Sequence, residues 1–105
     1  MDTISRLEDV IRKRFKGDPA SSYVANLHWK GEDAVAQKVG EEAVELIIAH
    51  LVGTREQEIG EAADLIFHLL ILLAEQDIPF AEVLAELDRR EGTSGIAEKA
   101  ARKPD

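Results

Sequence analysis

Ten consecutive residues, Leu65-Ile66-Phe67-His68-Leu69-Leu70-Ile71-Leu72-Leu73-Ala74, hold no charge and one polar side chain. As a helix this run is apolar on nearly every side, which in a soluble chain requires burial all round. It is too short to cross a bilayer, which takes about 20 apolar residues. In a chain of 105 residues the remaining helices can cover such an element only partly. The expected solution is a homodimer with this helix at the interface, a four-helix bundle assembled from two antiparallel pairs. A monomeric bundle with the same helix at its centre is the alternative.

The rest of the chain reads as helices joined by short punctuation, so the fold class is all-α. Ile4, Leu7, Val10, Ile11 and Phe15 make one amphipathic stripe over a first helix. Lys16-Gly17-Asp18-Pro19 ends it. Ala20 to Lys30 shows weak periodicity and reads as a loop with at most one helical turn. A second long helix runs from about Glu32 to Val52, with Gly53 suited to the left-handed residue that follows a helix. Thr54 with Gln57 three residues on is a capping-box signature for the next helix, which carries the apolar run and ends near Gln76 or Asp77. Pro79 fits the first turn of a last helix, ended at Gly92. Residues 1–105 form one domain, with 92–105 expected as a flexible tail holding at most a short helix. No strand alternates convincingly and no repeat is present.

Two acidic clusters lie inside this apolar pattern, Glu41-Glu42-Ala43-Val44-Glu45 and Glu61-Ala62-Ala63-Asp64, fifteen residues apart. At about 100° per residue Glu41 and Glu45 share a face with Glu42 at its flank, on the line of Ala34, Ile48 and Val52. Gln57, Glu61, Asp64 and His68 share a face of the following helix, which runs on into Ile71 and Leu72. Glu45 lies eight residues before Gly53 and Glu61 eight after it, so in a helical hairpin the clusters sit at one height. Carboxylates about 5–6 Å apart repel by about 3 kcal/mol per pair at an effective dielectric near 20. A hard divalent cation is the usual compensation, and Mg²⁺ held by carboxylates usually faces substrate phosphates. The bland reading is a solvated acidic face, common in a chain with 21 acidic residues. A metal-free helical dimer serving as an interaction module would follow from it.

Composition narrows the classes further. A net charge of −8 offers no basic patch for nucleic acid, yet allows a phosphorylated substrate through bound cations. With no cysteine there is no disulfide or thiolate metal site. The polar N-terminus has no signal-peptide pattern and no segment is expected to enter a membrane, so the cytoplasm is the expected compartment. Lys38, one turn before Glu41 and Glu42, is a candidate phosphate contact or a surface partner for a nearby glutamate. His68 is a core histidine or the holder of a ligand carboxylate. Tyr23 and Trp29 either stack on a base or form a lid on the core.

Glu-Glu-x-x-Glu followed across a hairpin by Glu-x-x-Asp resembles the pattern of the all-α nucleoside triphosphate pyrophosphohydrolases of the MazG type. Within that superfamily the chain is most similar to the phosphoribosyl-ATP pyrophosphatases of histidine biosynthesis. The resemblance rests on Ser22-Tyr23, on the run from Gln37 through Glu45, on the run from Glu61 through Leu70, and on Glu86-Leu87 with Arg89-Arg90. The ending, Ser94-Gly95-Ile96 with Glu98-Lys99-Ala100, extends it. Val24 departs from the family's Ser-Tyr-Thr, and Leu27-His28-Trp29 is also unlike it. The resemblance implies a MazG-like dimeric bundle and Mg²⁺-dependent hydrolysis of 1-(5-phosphoribosyl)-ATP, a nucleotide, to 1-(5-phosphoribosyl)-AMP and pyrophosphate. It assigns Glu42, Glu45, Glu61 and Asp64 as metal ligands. Glu41 completes the shell or orients the water as base, a role in which geometry does not separate it from Glu42. Lys38 and Tyr23 are the expected substrate contacts. A house-cleaning pyrophosphatase acting on ordinary or damaged nucleoside triphosphates is the alternative within the enzyme class.

Overall fold

Asp2 starts the first helix by accepting the Ser5 backbone N–H at 2.8 Å, satisfying one of the donors that a helix start leaves unpaired. The computed structural model describes residues 2–92 together with Lys99 and Arg102. Among them the chain forms α1 (Thr3–Arg14), α2 (Tyr23–Lys30), α3 (Glu32–Val52), α4 (Arg55–Glu75) and α5 (Phe80–Arg90), with no strand. Among the described residues no helix is long and apolar enough to cross a membrane. The tail expected over 92–105, with the strings Ser94-Gly95-Ile96 and Glu98-Lys99-Ala100, falls outside the described residues except for Gly92, Lys99 and Arg102.

The segment read as a loop is an eight-residue helix. Ser22 caps α2, its hydroxyl accepting from the Ala25 backbone N–H at 3.2 Å. Val24, Ala25 and Leu27 are buried beneath it. The periodicity was too short to stand out, and tertiary burial decides the conformation. Gly31, at φ 104°, ends α2 in a conformation that favours glycine and lets α3 begin at once.

α3 and α4 form an antiparallel hairpin joined by Gly53 and Thr54. The capping box is present: Thr54 Oγ1 accepts from the Gln57 N–H at 3.1 Å, and Gln57 Oε1 accepts from the Thr54 N–H at 2.9 Å. Gly53 is not left-handed as expected. Its backbone is extended, at φ −99°, and glycine is needed there for space. A Cβ would lie 2.9 Å from the Ala49 carbonyl oxygen and 3.1 Å from Ala49 Cα. Besides Gly31 and Gly92, the described residue with positive φ is Asp77 after α4, at φ 55°, held by Arg12 at 2.6 Å. Pro79 is the cap of α5 rather than part of its first turn, and Glu8 of α1 supplies the missing acceptor by taking the Phe80 N–H at 2.7 Å.

The core occupies one end of the hairpin. Ile11, Val24, Leu27, Val35, Leu70 and Ile71 are buried together, with Ile4, Leu7, Phe15, Phe67, Leu72 and Phe80 packed around them. α1 and α2 thus cover the end where α3 begins and α4 finishes. The other end has no such cover among the described residues: Ile47, Leu51 and Ile59 are exposed and Val52 is 81% exposed. Burial of α4 all round is therefore met in its C-terminal half only, where His68, Leu70 and Ile71 are enclosed. The core line of α3 also differs from the expected one. Val35, Glu42 and Ala49, seven residues apart, are buried against α4, whereas Glu41 is exposed and Ile48 and Val52 lie at the open edge of the hairpin, lining a cleft with Gln57 and Glu61. A straight helix projection misses this, because two long helices in contact keep a seven-residue seam.

The tight turn gives a test. Gly53→Ala is expected to lower the melting temperature by roughly 5–15 °C in a thermal scan, through overpacking against Ala49 rather than backbone strain. An unchanged melting temperature would mean that the turn opens at little cost.

Candidate metal-binding site

Midway along the hairpin, where the core gives way to the uncovered end, α3 presents Glu42 and Glu45 to Glu61 of α4. One carboxylate oxygen from each lies within 4.8 Å of the others. Glu42 is only 5% exposed, held there by the Val35-Glu42-Ala49 seam. At that spacing the three carboxylates repel one another, with the least solvent screening between buried Glu42 and half-buried Glu61. Lys38, one turn earlier, offsets part of this with its Nζ 3.4 Å from Glu42 Oε1. One ammonium does not balance three carboxylates, and Glu42 Oε2 and Glu61 Oε2 are buried without a hydrogen-bond partner. The charge of Glu42 foremost, with Glu61 beside it, pushes the Glu45 carboxyl above its usual 4.5.

The other expected site residues lie around this trio. Asp64 is one turn beyond Glu61, with an exposed side chain outside the group of converging oxygens. Its charge acts on the Tyr23 hydroxyl together with those of Lys38, Glu42 and Glu41. Glu41 is exposed and faces the surface with Gln37, Gly40 and Val44, because the residue before Glu42 is turned about 100° away from α4. Lys38 takes the pairing that its helical spacing allows and is half-buried. Beside Glu45 and Glu61 a cleft of about 310 Å³ runs toward the turn, lined by Ile48, Ala49, Val52 and Gln57.

Two histidine links were not legible beforehand. His68 is buried and joins α4 to α2, its Nε2 2.7 Å from the Tyr23 hydroxyl and its Nδ1 2.8 Å from the Asp64 carbonyl oxygen. It holds a backbone carbonyl rather than a ligand carboxylate. His28 stacks on Phe15 with ring centroids 4.1 Å apart and meets Glu75 at 2.7 Å. Both links span more than forty residues, and neither has a local signal in the sequence.

The donor set, all carboxylate oxygens with two of them unsatisfied, fits a hard divalent cation. Trp29, although 74% exposed, is absent from the cleft beside the cluster.

The pattern of the family described as phosphoribosyl-ATP pyrophosphohydrolase matches residues 4–91. The chain is 62% identical over 101 residues to the phosphoribosyl-ATP pyrophosphatase of Novosphingobium aromaticivorans, covering 96% of this chain and 94% of that protein. It is 62% identical over 100 residues to the protein of the same name from Rhizorhabdus wittichii, covering 95% and 94%. With that of Dinoroseobacter shibae the identity is 53% over 102 residues, covering 97% and 100%.

The raised Glu45 value sets a pH dependence. A carboxyl whose folded-state pKa lies above its unfolded value favours folding while protonated, so this contribution is complete below the unfolded value and is lost as pH rises through the folded one. In a chelating buffer Glu45→Gln is therefore expected to raise the melting temperature at neutral pH and to bring little gain near the usual 4.5. A variant that is destabilised at neutral pH would contradict the repulsion.

Proposed function

The chain belongs to the phosphoribosyl-ATP pyrophosphohydrolase family, and we propose that it hydrolyses 1-(5-phosphoribosyl)-ATP to 1-(5-phosphoribosyl)-AMP and pyrophosphate at the Glu42, Glu45 and Glu61 cluster. This is the second step of histidine biosynthesis. The observation that carries the site is the pair of buried, unpartnered oxygens, Glu42 Oε2 and Glu61 Oε2, in a group of three converging carboxylates. An uncompensated arrangement of that kind persists where function requires it.

Glu42, Glu45 and Glu61, with Asp64 one turn on, would hold Mg²⁺. When bound, that ion neutralises polyphosphate charge and lowers the pKa of a water. Everything else is the work of the chain's own groups. Lys38 stands at the edge of the cluster with one side of its ammonium toward Glu42, leaving other N–H donors for a phosphoryl oxygen. Glu42 orients the attacking water and takes its proton, since Glu41, the other residue expected in that role, faces the surface. The apolar wall of Ile48 and Val52 beside Glu45 and Glu61 gives a base a surface to lie on.

The exposed Val44, Ile47, Leu51, Ile59 and Ile66 support a homodimer in which two hairpins close a four-helix bundle. Sedimentation equilibrium is expected to give twice 11.6 kDa, and Leu51→Asp to give a less stable monomer. A monomeric wild type would contradict this assembly.

Pyrophosphate release from enzymatically prepared phosphoribosyl-ATP, run beside ATP and dUTP, tests the activity. Release is expected from phosphoribosyl-ATP alone, with Mg²⁺ and not with EDTA, and about 10²–10⁴-fold slower in Glu42→Gln. Comparable release from ATP and dUTP would favour a house-cleaning triphosphatase. Unchanged release by Glu42→Gln would remove the cluster from the chemistry.

A further inference from the structure

His68 fixes the direction of a hydrogen-bond chain that runs from the Tyr23 hydroxyl to the Asp64 carbonyl oxygen, one turn beyond Glu61 on α4. Its Nδ1 lies 2.8 Å from the Asp64 carbonyl oxygen, an atom that can only accept, so Nδ1 carries the proton. In the neutral imidazole Nε2 is then an acceptor, and the Tyr23 hydroxyl 2.7 Å away must donate to it. The ring is 6% exposed, with Phe67 and Tyr23 packed edge-on at 5.3 and 5.7 Å, which holds it in this orientation. Ser22 caps α2 immediately before Tyr23 and so fixes where the phenol starts.

Tyr23 thus spends its one proton on the protein and keeps only lone pairs for its other side. Burial, the largest cause, raises its pKa above the usual 10.0, so the hydroxyl stays protonated, and the ring to which it bonds lies one turn beyond Asp64 on α4. From this geometry we infer that Tyr23 presents an acceptor-only oxygen to the hydrolytic site and that His68 is the positioning residue that makes it so. The inference rests on the assignment of that site to Glu42, Glu45 and Glu61. A hydroxyl committed to His68 cannot also donate to a phosphoryl oxygen. It binds a protic donor, which is either the attacking water or the Lys38 ammonium.

The test combines kinetics with the nitrogen spectrum of the His68 ring. Tyr23→Phe and His68→Leu are each expected to lower kcat/KM for pyrophosphate release about tenfold, the worth of one hydrogen bond. The double variant falls no further, because the two groups act as one unit. A fall in kcat identifies the water as the donor, and a rise in KM identifies Lys38. In the ¹⁵N-labelled wild type the His68 proton is expected on Nδ1, with Nε2 shifting in Tyr23→Phe. Wild-type kcat/KM in Tyr23→Phe, losses that multiply in the double variant, or a ring protonated on Nε2 would each overturn the inference. The ring spectrum needs no substrate, so it decides the inference even if the wild type releases no pyrophosphate, the outcome that would overturn the functional assignment.

Discussion

Three carboxylates held within 4.8 Å across a two-helix hairpin are the constraint around which the rest of this molecule is arranged. Left to themselves, α3 and α4 would be pushed apart at that height, because like charges in a half-buried site repel one another. The hairpin stays closed because it is fastened on both sides of the cluster. On one side Ile11, Val24, Leu27 and Val35 pack against Leu70 and Ile71. On the other, the Thr54–Gln57 capping box and the crowded Gly53 fix the turn. The carboxylates are thus presented in a geometry that they would not choose, as the proposed cation site would require.

The same layout explains where the accessory groups sit. α2 lies across the hairpin at the boundary between the packed end and the cluster, and it brings Tyr23 to His68. α1 and α5 stay on the packed side, tied to each other by Glu8 and to the end of α4 by Arg12. Glu86 of α5 is held near a pKa of about 2 by Arg89 and Arg90, a surface arrangement remote from the chemistry. The exposed apolar side chains of the uncovered end belong to a hairpin longer than α1, α2 and α5 enclose.

Much of this was legible in the residues. The capping box, the bounds of α3 and the equal heights of Glu45 and Glu61 all follow from local chemistry and counting, and so does the all-α class. What was not legible depends on contact between the two long helices. The seven-residue seam turned Glu42 inward and Glu41 outward, the reverse of the straight projection. The conformation of Gly53 is set by the approach of Ala49, which no composition rule contains. α2 was missed because eight residues carry too little periodicity, and its stability comes from burying Val24, Ala25 and Leu27. The Tyr23–His68 bond joins residues forty-five apart and exists only in three dimensions.

The central claim is that the Glu42, Glu45 and Glu61 cluster is built for a divalent cation. Calorimetric titration of Mg²⁺ into the metal-free protein, at mildly acidic pH and in two buffers of different ionisation enthalpy, tests it most directly. The cation should displace the proton that the raised Glu45 carboxyl retains there. The account predicts saturable binding with release of protons, both abolished in Glu42→Gln. Absence of saturable binding, or an isotherm unchanged in that variant, would contradict it.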